Sequence, residues 1–76
     1  MPRLPRLTAP EIIQAIEKRG FVLTRSRASH RIFYNSSTGK RVTIPFHRGK
    51  VIPPGTLLNI LREAGINRDD LETLLK

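Results

Sequence analysis

Residues 21–44 decide the fold: Phe21-Val22-Leu23-Thr24-Arg25-Ser26, Arg27-Ala28-Ser29, His30-Arg31-Ile32-Phe33-Tyr34, Asn35-Ser36-Ser37-Thr38-Gly39, and Lys40-Arg41-Val42-Thr43-Ile44. The first, third and fifth pieces are rich in β-branched and aromatic residues and read as strands. The second and fourth are turns by composition. Strand side chains alternate, so His30, Ile32 and Tyr34 share one face of the middle strand, and Arg31 and Phe33 take the other. In the last strand Val42 and Ile44 point inward. Pro45 closes it, because proline has no N–H to give to a ladder. Both connections are too short for the crossover that parallel strands need, so the sheet is an antiparallel meander.

On the N-terminal side, residues 1–7 form an extended, Pro- and Arg-rich lead-in. Thr8-Ala9-Pro10-Glu11 is a capping box that opens a helix, with Leu7 and Ile12 at the staple positions. Ile12, Ile13, Ile16 and Ala15 give that helix its apolar stripe, and Gly20 stops it in the left-handed conformation. On the C-terminal side a basic loop runs from Phe46 to Ile52. Pro54 then suits the first position of a second helix reaching about Ala64. Leu57, Ile60, Leu61 and Ala64 fall at helical spacing, with Leu58 beside them. Gly65 caps the helix, and Asn67 starts a short final one whose first turn holds Asp69 and Asp70. Leu71, Leu74 and Leu75 give it an apolar side. The expected fold is α+β: a single domain over residues 1–76, with helices covering one face of a three-stranded sheet. Leu58, Leu71 and Leu75 read as core, or as anchors for a partner if exposed.

Charge narrows the function. The chain has 76 residues, with 14 Lys and Arg against 6 Asp and Glu. Residues 18–50 hold nine of those cations (Lys18, Arg19, Arg25, Arg27, Arg31, Lys40, Arg41, Arg48 and Lys50) and no acid. Such a concentrated field opposes compactness unless something binds it, and the usual partner is a phosphate backbone. There is no cysteine, so no disulfide framework or thiolate metal site. No apolar run approaches the length of a membrane span, so a cytoplasmic location off the membrane is expected.

Histidine is the candidate for chemistry. If that phosphate backbone is RNA, it carries its own nucleophile, the 2′-hydroxyl, and a base that removes its proton lets it attack the adjacent phosphorus. Histidine suits that task because it titrates near neutrality. Arg25, Arg27 and Arg31 lie close to His30 in sequence, placed to hold a phosphate and stabilise the charge that develops on it. Hairpin arithmetic sets His30 opposite Pro45 or Phe46, with His47 just beyond at the same end, either as a solvated loop residue or as an assisting acid or hydrogen-bond donor. Ser29 either orients His30 or caps the turn. Lys40, Arg41, Arg48 and Lys50 extend the cationic surface, as contacts that position a backbone without reading bases. Free N–H groups at Gly55 and Thr56 either offer a second anion contact at a helix start or simply open that helix. No metal-ligand spacing is visible, so neither a metal nor another cofactor is expected. Alternation alone leaves His30 either as an accessible base or as a buried, hydrogen-bonded strand residue.

Four pieces in order, Ile16-Glu17-Lys18-Arg19-Gly20-Phe21-Val22-Leu23, Ser29-His30-Arg31-Ile32-Phe33, Arg41-Val42-Thr43-Ile44-Pro45-Phe46-His47 and residues 54–66 from Pro54-Gly55-Thr56 to Ala64-Gly65-Ile66, resemble the HicA-type toxins, also called the YcfA-like family. The resemblance spans about residues 8–76. It implies an αβββα double-stranded RNA-binding-domain-like fold and the activity of an mRNA interferase, an RNA endonuclease held in check by a HicB-type antitoxin. The family's essential histidine follows a Gly-Ser pair at the start of the second strand, which carries over to His30. This chain departs from the pattern at Ala28, where the family usually has glycine, and so loses backbone freedom just before the histidine. Two other readings stand beside the nuclease: a non-catalytic RNA-binding module of the same fold, and a partner subunit whose basic face meets an acidic protein.

Overall fold

The computed structural model describes residues 4–76; residues 1–3 of the expected lead-in lie outside it. The elements run α1 (Ala9–Glu17), β1 (Val22–Arg27), β2 (His30–Asn35), β3 (Lys40–Pro45), α2 (Pro54–Ala64) and α3 (Arg68–Leu74). The sheet is an antiparallel meander in the order β1-β2-β3. The result is the expected α+β, double-stranded RNA-binding-domain-like arrangement, with helices on one face only.

Each helix begins and ends where local chemistry dictates. The Thr8 N–H and hydroxyl both donate to Glu11 Oε1 at 2.9 Å, the capping box that starts α1. These bonds hold the Glu11 carboxyl below the usual carboxylate range, chiefly through the Thr8 backbone N–H. A depressed carboxyl lends stability above its unfolded value and loses it as pH falls through its folded one, so this helix start loosens only on acidification. Gly65 ends α2 at φ +72°, and the Ile66 N–H returns to the Leu61 carbonyl at 2.9 Å. A Cβ on Gly65 would also lie 2.9 Å from Lys40 Cε, because the Lys40 stem lies over this cap. The Asn67 side chain accepts from the Asp70 N–H at 2.7 Å to start α3.

The core lies between the helices and β2–β3. Ile12 and Ile16 of α1, Val42 and Ile44 of β3, Leu57 and Ile60 of α2 and Leu71 of α3 are its most deeply buried side chains. From β2 it takes Phe33, and beside Phe33 lies Asn35, the buried polar residue of the described chain. Its Nδ2 donates to the Arg19 carbonyl at 2.8 Å and its Oδ1 accepts from the Ser37 N–H at 2.9 Å, tying the end of α1 to the β2–β3 turn. Leu71 is core, whereas Leu58 and Leu75 are each 37% exposed.

The expected first strand shifts by one residue. Phe21 is buried just before it, and β1 itself holds no buried residue, with Val22 63% and Leu23 47% exposed. The helices pack against β3 and leave β1 as an overhanging edge. One residue of β1, Thr24, has no cross-strand partner: Leu23 pairs with Phe33, but Arg25 pairs with Ile32. This β-bulge bends the strand and reverses the sense of its alternation.

Candidate functional site

The uncovered face of the sheet is where the cations meet His30. Residues directly opposite each other on paired strands share a face. Phe33 and Asn35 point into the core, so His30, Ile32 and Tyr34 point away from it, and His30 is exposed. The buried alternative for His30 is thereby removed. Across β3 this face carries Pro45, Thr43 and Arg41, opposite His30, Ile32 and Tyr34 respectively. Across β1 it carries Arg27 opposite His30 and Arg25 opposite Ile32.

The bulge is what brings the two arginines there. With Thr24 paired normally after Leu23, Arg25 would fall opposite Arg31, on the helix side. The extra residue slides Arg25 and Arg27 to the open side instead. The Thr24 hydroxyl donates to the Ile32 carbonyl at 3.1 Å and so fastens the bulge to β2. All six acids of the chain lie in the three helices, so Arg25, Arg27, Arg41 and His30 share a face without a carboxylate.

Other expected site residues fall elsewhere. Arg31 does not join His30. It lies on the opposite side of β2, where its Nη1 donates to the Ala28 carbonyl at 3.1 Å and its guanidinium stacks 4.8 Å from the Phe46 ring centroid. It braces the turn that precedes His30. Lys40 likewise lies on the helix side, over Gly65. The Phe46 N–H donates to the Ser29 carbonyl, which fixes the start of the 46–50 loop at the His30 end of the hairpin. His47 follows Pro45 by two positions there, and His47, Arg48 and Lys50 are all exposed around a turn closed by the Lys50 N–H on the His47 carbonyl at 3.1 Å. Ser29 acts in this network through its backbone. Gly55 and Thr56 open α2 in the helical layer, away from the open face. Nothing in the sequence marks Tyr34 for function. Phe21 and Phe33 are buried and Phe46 packs on the core, so Tyr34 carries the one six-membered aromatic ring of the open face among the described residues.

The profile of the family described as the HicA toxin of bacterial toxin–antitoxin systems matches residues 9–66, well over half of the chain. The chain belongs to the HicA toxin family. The matched span contains all three strands and α1 and α2, and with them every residue of the open face. A search of curated proteins gave no match. Membership of the HicA family makes this a toxin of the toxin–antitoxin type, with an antitoxin as its partner. No helix among the described residues is long and apolar enough to cross a membrane.

The position at which this HicA chain departs from the resemblance is conformationally distinctive. Ala28 is the first residue of the two-residue turn between β1 and β2, and its φ is +51°. Two-residue hairpin turns favour glycine at such a position. A left-handed backbone costs an L residue roughly 1–2 kcal/mol, partly offset because alanine loses less entropy on folding than glycine, by about 0.4–1 kcal/mol. Ala28→Gly should therefore raise stability by about 0.5 kcal/mol, and Ala28→Val should lower it, since a β-branched residue tolerates positive φ less well than alanine. Thermal melts of the two variants check the opposite signs.

Proposed function

We propose that this toxin is a metal-independent RNA endonuclease, an mRNA interferase acting in the cytoplasm, with His30 as its general base. The observation that carries this reading is an exposed histidine beside Arg27, at one end of an acid-free sheet face that also holds Arg25 and Arg41. In the proposed reaction the His30 imidazole takes the proton of a ribose 2′-hydroxyl. The oxygen attacks the adjacent phosphorus and the 5′-oxygen leaves with a proton. Arg27, directly opposite His30, bears the charge that builds on the phosphoryl oxygens, and Arg25, two residues along β1, holds the adjoining backbone. His47 is the assisting donor, helped by its place at the same end of the hairpin, and Arg48 and Lys50 hold the flanking backbone. Arg31 serves as a positioning residue for the turn.

The antitoxin is proposed to be of the HicB type. An acidic surface laid on the open face would neutralise the excess charge and cover His30 in a single contact.

Incubation of the purified toxin with a long mixed-sequence RNA in excess chelator tests the reading. Fragments that disappear when the antitoxin is added support it. RNA that is bound but stays intact supports the binding module. No RNA affinity at any salt concentration supports the partner subunit, since a protein that displaces several counterions binds far more tightly at low salt.

A further inference from the structure

At the bulge, Thr24, Arg25, Ile32 and Arg41 line a shallow depression of about 330 Å³ on the open face. Its floor is apolar at Ile32, and two guanidinium side chains stand at opposite walls, one on each outer strand. Tyr34 is the next residue along the same face of β2, directly opposite Arg41 and 37% exposed. Along a strand each residue advances about 3.3 Å, so His30, Ile32 and Tyr34 are spaced about 6.6 Å apart. The sheet therefore carries, in line, a base, a hollow flanked by two cations, and an aromatic ring.

We propose that this depression is a subsite for single-stranded RNA, taking the nucleotide next to the phosphodiester at His30. Its phosphate lies between Arg25 and Arg41, and its base stacks on Tyr34 above Ile32. This inference rests on the open face being the RNA face, as in the function proposed above. The single strand follows from the ring: an aromatic side chain receives a base only when that base is out of a duplex stack. The phosphate follows from charge, since the depression has two arginines and no acid. The bulge makes the hollow, because the unpaired Thr24 bends β1 there.

The test measures binding alone, so that it succeeds or fails independently of His30 chemistry. The probe is an eight-nucleotide mixed-sequence 2′-O-methyl oligonucleotide with a fluorescent end label, as a single strand and annealed to its complement. Tyr34→Ala should weaken single-strand binding about 5- to 100-fold, the loss of one base–aromatic stack. Tyr34→Phe should stay close to wild type, and duplex affinity should not respond to either change. Arg41→Gln should flatten the salt dependence by roughly 0.7 in log–log slope, the share of one phosphate on a single strand. Deletion of Thr24 keeps every existing cross-strand pair and removes only the bulge; it should weaken the single strand while far-ultraviolet circular dichroism stays native. Unchanged single-strand affinity in Tyr34→Ala overturns the subsite, as does a duplex that binds as tightly as the single strand and loses equally on that change. A wild type that binds the antitoxin but no oligonucleotide also overturns it, assigning the face to the protein partner. Loss of binding in Tyr34→Ala beside undiminished cleavage in His30→Ala would retain the subsite and remove the proposed base.

Discussion

His30→Ala should lower RNA cleavage by roughly 10²- to 10⁴-fold, the usual contribution of a positioned general base, while RNA affinity stays near that of the wild type. The separation follows from where the residue sits. His30 is exposed and is neither a core residue nor one of the fixed cations, so removing its ring leaves the fold and the cationic field intact. Arg25, Arg27 and Arg41, the proposed backbone contacts, lie on the neighbouring strands and are untouched by the change. Single-turnover cleavage at saturating protein, with anisotropy measured in parallel, separates the two quantities. Equal cleavage by both proteins would leave an RNA-binding module, and loss of binding along with cleavage would make His30 a contact and not a base.

Asn35→Ala should destabilise the fold by about 1–3 kcal/mol, because it removes two part-buried bonds to backbone groups at once. The Arg19 carbonyl loses the Nδ2 donor and the Ser37 N–H loses the Oδ1 acceptor, both next to the core. Total stability for a chain of this length is on the order of 5–10 kcal/mol, so a large share would go. Asn35→Asp restores the acceptor for Ser37 but presents an oxygen to the Arg19 carbonyl, and should fall between the two. Urea unfolding checks the order wild type, Asp, Ala. In contrast, the Arg19–Asp70 ion pair, 3.1 Å long but about 40% exposed on both sides, contributes at most about 1 kcal/mol.

Local rules made much of this fold legible. Thr8 with Glu11, Gly20, Gly65 and Asn67 punctuate the helices because each satisfies or ends a specific set of backbone groups, and those are properties of short sequence windows. Turn length alone narrows the partner of His30 to Pro45 or Phe46, and the pairing is with Pro45. What stayed closed depends on contacts between elements. Alternation groups His30 with Ile32 and Tyr34 but does not say which side the helices cover. The bulge at Thr24 is a single inserted residue without a glycine to mark it, yet it decides the side on which Arg25 and Arg27 emerge. Arg31 resembles its neighbours in sequence and is separated from them only by parity, which turns it toward the Ala28 carbonyl and Phe46. Tyr34 drew no functional reading because an aromatic residue in a strand is normally core; here it is the covering of one face only that leaves it outside.

In the proposed reaction the substrate supplies its own nucleophile and His30 only releases it. The chemical identity of the new RNA ends tests this most directly. Attack by the 2′-oxygen leaves a 2′,3′-cyclic phosphate on one fragment and a 5′-hydroxyl on the other, and a strand with a single 2′-deoxy sugar at the cut position should resist cleavage there. Mass spectrometry of the fragments reads both. Cyclic phosphate with a 5′-hydroxyl is expected; a 5′-phosphate with a 3′-hydroxyl, or unimpaired cutting at the deoxy position, would exclude attack by the 2′-oxygen.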